Sequence, residues 1–195
     1  MILKIINNSD IYYKDAIDYF PKEYSSIISS KESLVSRYII STIVDNSFNI
    51  KKYLPKVDAT WKPVYLYENL YWSISHKENL VFVWISDTQI WVDIEFYKER
   101  DNSVLDYFLD SEYELLGWKN WSNFYVLWTA KESVIKYNLS NLDNINGIKL
   151  LELISNEQII SDLKFSKKLL FNYKNNINQV FFWENEGKFY SICIK

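Results

Sequence analysis

The sequence is poor in residues that form covalent or metal cross-links. Its 195 residues include one cysteine, Cys193, and one histidine, His76. A single cysteine excludes an intrachain disulfide and favours a reducing, cytoplasmic location. One cysteine and one histidine are also too few for the usual four-ligand zinc site. With 48 % hydrophobic residues, the chain is expected to depend on a sizeable hydrophobic core instead.

Long apolar runs and an excess of positive charge are missing too. No run approaches the roughly 20 apolar residues of a membrane span, and the first eight residues turn polar too early for a signal peptide. The net charge of −3 argues against a general nucleic-acid binder, which usually carries a basic face. These absences predict a cytoplasmic protein that binds neither membranes nor nucleic acid.

Hydrophobic periodicity predicts helix and then strands, twice along the chain. A Lys-Pro break at 62–63 separates the first helix from the first strands, because the residue before proline avoids helical geometry. This order predicts an α+β protein of two similar α/β halves, residues 1–90 and 91–195. The predicted elements are helices at 30–44 (capped by Ser30), 104–116 and 120–137, a hairpin of strands 80–85 and 90–96, and a closing hairpin of strands 179–183 and 188–194.

Two carboxylates stand two residues apart in an otherwise apolar strand. Because side chains alternate across a strand, Asp93 and Glu95 share one face, opposite Val92, Ile94 and Phe96. Two acids so close repel each other unless a cation lies between them, and magnesium bound to phosphate oxygens suits such a pair. The alternative is a solvated outer face of an edge strand.

A second charged pair lies in the helix predicted at 120–137. Glu132 and Lys136 are four residues apart and therefore share a helix face with Trp128. One interpretation makes Glu132 a metal ligand or a base and Lys136 a phosphate contact. The other is a solvated surface ion pair, which stabilises a helix by only a few tenths of a kcal/mol.

A Ser-His-Lys sequence at 75–77 closes a predicted strand. Ser75, His76 and Lys77 can donate hydrogen bonds to a phosphate, although a lone histidine is often a structural residue. A serine hydrolase is excluded, because adjacent Ser and His on a strand point to opposite faces and no nucleophile elbow is present.

Three segments, in order and with matching spacers, resemble the 4'-phosphopantetheinyl transferases of the surfactin-synthetase-activating type. Trp-Ser-Ile-Ser-His-Lys at 72–77 resembles the family's Phe-Asn-Ile-Ser-His-Ser. Val-Asp-Ile-Glu at 92–95 resembles Gly-Ile-Asp-Ile-Glu, although Trp91 and Val92 replace Gly-Ile. Trp-Thr-Ala-Lys-Glu-Ser at 128–133, followed by Lys136, resembles Trp-Ser/Thr-x-Lys-Glu-Ser/Ala…Lys. Further matches are Arg37, Lys62 and a Phe-x-x-x-Glu stretch at 108–112.

The resemblance implies a pseudo-dimer with coenzyme A in the cleft between its halves. It implies a magnesium ion held by Asp93, Glu95 and Glu132, with Glu132 also the base for a carrier serine. Lys136 and Lys131 are expected to hold pyrophosphate oxygens. The expected coenzyme A contacts are Arg37, Lys62, Ser75 and His76.

The implied partner is an acyl or peptidyl carrier protein, a class that is typically acidic. Fatty-acid, polyketide, peptide-synthetase and siderophore pathways all remain open, as does magnesium against manganese. A monomer is expected. The segment 104–121 offers apolar residues that are either docking contacts for the carrier or core residues: Leu109, Leu115, Leu116 and Trp118.

Two rival functions stay open at this stage. A metal-dependent nuclease also uses acidic clusters followed by lysine, but the negative net charge counts against it. A non-catalytic module that binds coenzyme A or a carrier protein is favoured by one feature, the bulk of Trp91 beside the acidic pair.

Overall fold

The structure is a computed structural model, and it describes residues 2–7, 9–28, 30–55, 70–138, 140–155, 158–160, 163–165 and 167–194. The chain divides into two compact units, Met1–Thr88 and Gln89–Lys195. Both contain helices and antiparallel sheet, so the α+β class is confirmed. Within the described ranges, every helix falls short of the length and apolar character that crossing a bilayer requires.

The first unit packs helices against a three-stranded antiparallel sheet in the order β1-β3-β2. Its long helix begins where the sequence predicts, because the side chain of Ser30 accepts a hydrogen bond from the backbone N–H of Ser33. It ends four residues beyond the predicted limit, at Phe48. The elements are β1 (Ile2–Ile6), α1 (Asp10–Tyr19), α2 (Lys22–Ser26), α3 (Lys31–Phe48), β2 (Tyr71–Lys77) and β3 (Leu80–Ser86).

The second unit contains a five-stranded antiparallel sheet in the order β4-β10-β9-β8-β5 and a separate β6-β7 pair. Two short 3-10 segments, Asn102–Tyr107 and Leu142–Gly147, flank its helices. The elements are β4 (Ile90–Phe96), α4 (Asp110–Leu116), α5 (Trp121–Tyr137), β5 (Lys149–Ile154), β6 (Gln158–Ile160), β7 (Leu163–Phe165), β8 (Lys167–Tyr173), β9 (Asn176–Asn185) and β10 (Lys188–Ile194).

The predicted hairpin between residues 80–85 and 90–96 is wrong. β3 pairs with β1 on one side and with β2 on the other, so both of its edges are occupied. β4 pairs with β10 instead. The strand at residues 2–6 was not predicted, and it fills the edge of β3 that a hairpin with β4 requires.

The helix predicted at 104–116 is two elements. Phe108 and Leu109 have extended backbone, with ψ angles of 160° and 142°, and they separate the 3-10 segment from α4. Phe108 is buried in the core of this unit. Phe108 therefore enters the core from an extended segment between the two elements and not from a helix.

The helix predicted at 120–137 and the closing hairpin are confirmed. The side chain of Asn120 accepts a hydrogen bond from the backbone N–H of Asn123, 2.8 Å away, and caps α5. β9 and β10 meet at a tight turn in which Glu186 and Gly187 both have positive φ, 52° and 70°. Positive φ at both turn residues matches the right-handed twist of the paired strands.

Helix α5 covers one face of the sheet along β4 and β10. Its apolar residues, among them Leu127 and Val134, join Phe189 and Cys193 of β10 in one core. Ser191 of β10 donates its hydroxyl to the carbonyl oxygen of Thr129, 2.8 Å away, and anchors the helix to the strand. The same face of the sheet carries the two carboxylates of β4.

We expect Asn120→Ala to lower the free energy of unfolding by about 1 kcal/mol, because it removes the N-cap of α5. Urea denaturation measures the change. Asn144→Ala is the matched control, since Asn144 is exposed and lies outside the ends of α5. Equal stability of the two variants contradicts the proposed contribution of the cap.

Candidate functional site

The acidic face of β4 is buried. Only 2 % of Asp93 and 7 % of Glu95 is exposed to solvent. In the antiparallel register these residues lie opposite Ser191 and Phe189, whose side chains meet α5. The alternative of a solvated outer face is therefore wrong. β4 does lie at the edge of its sheet, but α5 covers the face that carries the acids.

Helix α5 adds a third carboxylate to this pair. One carboxylate oxygen each from Asp93, Glu95 and Glu132 lies within 4.8 Å of the others. Burial raises the pKa of Glu132 to about 8, and the negative charge of Asp93 acts in the same direction. The site therefore places three carboxyl groups close together and favours the protonated form of one of them, Glu132.

Lys136 supplies the positive charge beside the three acids. It lies one helical turn after Glu132 and donates a hydrogen bond from Nζ to Oδ1 of Asp93. Burial disfavours its charge, but Asp93, Glu132 and Glu95 together raise its pKa above the ordinary value. The partner of Lys136 is a buried carboxylate on another element, so the alternative of a simple solvated pair along the helix surface is wrong.

The donor set fits a hard divalent cation. All three groups offer carboxylate oxygens, the ligands that magnesium and manganese prefer. Three carboxylates share one lysine, and burial together with the negative charge of Asp93 raises the pKa of Glu132, so the ionised form of all three is disfavoured. A dication would favour that ionised form, and Asp93, Glu95 and Glu132 are the residues to hold it.

Lys131 belongs to a different interaction, although it is adjacent to Glu132. Its ammonium lies 2.8 Å from Oε2 of Glu112 and 4.4 Å from the centre of the Phe108 ring. Both partners of the ion pair are nearly fully buried. Adjacent residues on a helix point about 100° apart, which directs Lys131 toward α4 and Glu132 toward β4.

Glu112 is the residue whose role sequence reasoning missed. Its Oε1 accepts a hydrogen bond from the backbone N–H of Leu150, at 2.8 Å, and its Oε2 accepts one from Leu109, at 3.4 Å. It thereby links α4, α5 and the start of β5. The Phe-x-x-x-Glu stretch was the signal, because Phe108 and Glu112 both contact Lys131.

Arg37 is a buried cation in the first unit. Only 5 % of it is exposed, and its guanidinium lies 6.0 Å from the Trp72 ring. Nη1 donates to the carbonyl and hydroxyl oxygens of Ser33, whereas Nε has no hydrogen-bond partner. Burial lowers its pKa, against an opposing effect of Tyr24. Among the described residues no carboxylate pairs with it, and a buried cation of this kind suits an anionic ligand.

Ser75 and His76 are consecutive residues of β2 and lie on opposite faces of its sheet. Ser75 is buried, whereas His76 is exposed at the end of the face that packs against α3. The strand does not bring the two side chains together, so contacts to a phosphate from both must be made separately. The predicted contact Lys62 lies outside the described residues.

The apolar residues considered for docking divide between surface and core. Leu109, Leu115 and Trp118 are 52 %, 42 % and 72 % exposed. Leu116 instead packs against the core of the second unit. Exposure on this scale for Trp118 is uncommon for a residue of its size, and it marks the segment as a candidate contact surface.

A family model described as the 4'-phosphopantetheinyl transferase superfamily matches residues 90–188, half of the chain. The matched range contains Asp93, Glu95, Glu132 and Lys136. A search of curated proteins found no significant match.

We expect Lys131→Met to lower the free energy of unfolding by roughly 3–5 kcal/mol, because it leaves the carboxylate of Glu112 buried without its cation. Adding Glu112→Gln to this variant should restore part of the loss, since glutamine keeps an oxygen for Leu150 and carries no charge. Chemical denaturation measures both. An unchanged stability of Lys131→Met contradicts the structural role of this ion pair.

We also expect Glu132 to make stability depend on pH. Its pKa rises from 4.5 to about 8 on folding, so between these values the native protein holds a proton that the unfolded chain has released. Its contribution is therefore fully present below pH 4.5 and is lost as pH rises toward 8, by at most about 1.4 kcal/mol per pH unit.

Denaturation of the wild type and of Glu132→Gln in EDTA, from pH 5 to pH 8, tests this pH dependence. The free energy of unfolding of the wild type should fall more steeply with pH than that of the variant. Parallel curves contradict the raised pKa.

Proposed function

The chain belongs to the 4'-phosphopantetheinyl transferase superfamily, and on that premise we propose that it transfers the 4'-phosphopantetheine group of coenzyme A to a serine of an apo carrier protein, with release of 3',5'-ADP. The observation that carries the proposal is the buried cluster of Asp93, Glu95 and Glu132, with Lys136 bonded to Asp93. This transfer suits such an arrangement, because the pyrophosphate and the leaving group are both anionic, and a bound dication and Lys136 would offset their charge.

Asp93, Glu95 and Glu132 would hold the metal ion, for which magnesium is our proposal. When bound, it would offset charge on the pyrophosphate as the phosphoanhydride bond breaks. Lys136 lies at the same cluster, where its ammonium donates to Asp93, and we assign it to a pyrophosphate oxygen and to the departing 3',5'-ADP. Lys131 is committed to Glu112 and is left out of the reaction.

Glu132 is the proposed acceptor of the serine proton, directly or through a water molecule. A divalent cation at the cluster would favour the ionised form of Glu132 over the protonated form that burial and Asp93 favour, and the ionised carboxylate is the form that can accept a proton. The serine oxygen then bonds to the phosphorus that carries the pantetheine arm, and the bond from that phosphorus to the bridging oxygen breaks. The bonding electrons leave with 3',5'-ADP.

The remaining phosphates of coenzyme A are proposed to contact the first unit. Arg37 is the best supported of these contacts, because it is a buried cation without a carboxylate partner in the described ranges. Ser75, His76 and Lys62 are proposed from the family resemblance alone. The surfactin-synthetase-activating type and the pseudo-dimer with its site between the halves also remain proposals.

A non-catalytic member of the superfamily is the rival proposal. Trp91 supports it, because this buried side chain replaces the usual glycine on the strand face that carries Asp93. Such a module would bind coenzyme A more tightly with magnesium and would transfer nothing. Calorimetry with coenzyme A, run beside the transfer assay, separates the two functions.

Incubation of an apo carrier protein with this protein, coenzyme A and magnesium should add the mass of one phosphopantetheinyl group to the carrier. Mass spectrometry detects the addition, and EDTA should abolish it. Several carriers from fatty-acid, polyketide and peptide-synthetase systems are needed. No mass gain on any of them, with coenzyme A binding intact, contradicts the proposed transfer and supports the rival.

In the same assay Glu132→Gln should abolish transfer, and Lys136→Ala should lower the rate at least about tenfold, since it removes stabilisation of developing charge. Lys149→Ala is the matched control, because Lys149 is an exposed lysine of β5. It should retain the wild-type rate. Near wild-type activity in Glu132→Gln excludes the role given to that residue.

A further inference from the structure

Four exposed apolar side chains lie close in sequence to a surface ion cluster of the second unit. Lys119 bonds to both Asp106 and Asp110, at 2.6 and 2.8 Å, and this joins three points of the segment 106–119. Tyr107, Leu109 and Trp118 are the exposed sequence neighbours of these three charged residues. Leu115 of α4 is a fourth exposed apolar residue in the same segment. We name them the docking surface: Tyr107, Leu109, Leu115 and Trp118.

The docking surface borders the acidic site through one aromatic side chain. The ring of Tyr107 lies 5.8 Å from that of Trp128 on α5. Trp128 is half-buried and precedes Glu132 by four residues on the same helix face, a rise of about 6 Å. A protein seated on the docking surface therefore has its neighbouring residues close to the proposed reaction site.

The charge around the docking surface is negative. Residues 101–119 present four exposed carboxylates, Asp101, Asp106, Asp110 and Glu114, against one exposed ammonium, Lys119. That ammonium already bonds to two of the four acids. Asp110 and Glu114 also share a face of α4, four residues apart. Extending the range back to residue 98 adds one exposed carboxylate, Glu99, and two exposed cations, Lys98 and Arg100, so five carboxylates still outnumber three cations.

We propose that the docking surface binds a carrier domain whose apolar docking face is flanked by lysine, arginine or neutral residues, and that it discriminates against strongly acidic carriers. This inference rests on the proposed transfer function and assigns its partner class. An acidic partner meets four carboxylates and must compete for Lys119, whereas a basic partner meets Glu114 and the outer oxygens of Asp110. Like charges across an interface suppress wrong partners.

The test uses one carrier domain in two forms. The first has glutamates around the apolar docking face, and the second has lysines at the same positions. The acceptor serine is alanine in both, so that binding is measured without transfer. We expect the lysine form to bind at least about tenfold more tightly at 10 mM salt, where the Debye length is about 30 Å.

The affinities of the two carrier forms should change in opposite directions when salt is added. Raising the salt concentration to 500 mM should weaken binding of the lysine form and strengthen binding of the glutamate form, because it screens attraction in one and repulsion in the other. Tighter or equal binding of the glutamate form at low salt overturns the proposal.

Single-residue variants test whether the charge preference arises at the docking surface. Glu114→Lys should reduce the preference for the lysine form at least about threefold, since it reverses an exposed charge that makes no ion pair within the described residues. Asp143→Lys is the matched control with the same change of charge, beyond the far end of α5. Trp118→Ala should weaken both forms. Equal effects of Glu114→Lys and Asp143→Lys overturn the assignment to this surface.

Carriers with the serine restored separate this proposal from the proposed function. Transfer to both forms with equal kcat/KM contradicts the charge selectivity and supports the proposed transferase function. Absence of transfer, together with the expected binding preference, contradicts the proposed transferase function and supports the proposed docking surface. Self-association of the protein that Trp118→Ala abolishes identifies a second copy as the occupant and overturns the proposal.

Discussion

The crowding of Asp93, Glu95 and Glu132 into a space of 4.8 Å is the constraint on which the second unit depends. Such crowding is unfavourable by itself, because like charges repel and burial removes the water that would solvate them. The protein offsets it with Lys136 and with a raised pKa for Glu132. The remaining negative charge is a property of the site that suits a divalent cation.

The helix that brings Glu132 to this cluster is itself held by a second buried charge pair. Lys131 and Glu112 tie α5 to α4, and Glu112 also receives the backbone N–H of Leu150. Consecutive residues of one helix thus serve different purposes, Lys131 in anchoring the helix and Glu132 in the acidic cluster. Because the two side chains diverge by about 100° around the helix axis, neither interaction interferes with the other.

The two units carry charged groups of opposite sign that the described residues balance only in part. The second unit gathers three carboxylates around a single lysine, whereas the first buries Arg37 with no carboxylate partner among the described residues. A divalent cation is the kind of ion that offsets the carboxylates of the second unit, and an anionic group is the kind that offsets Arg37 in the first.

Local patterns in the sequence determined α5 with its Asn120 cap, the shared face of Asp93 and Glu95, and the closing hairpin at Glu186 and Gly187. Those features depend on side-chain alternation, helical spacing and turn chemistry within a few residues. Only the tertiary structure decided the partner of β4, the burial of the acidic face and the pairing of Lys131 with Glu112. The physical reason is that strand edges and buried charges are satisfied by whichever groups the fold brings near, and β10 lies about 95 residues from β4 along the chain.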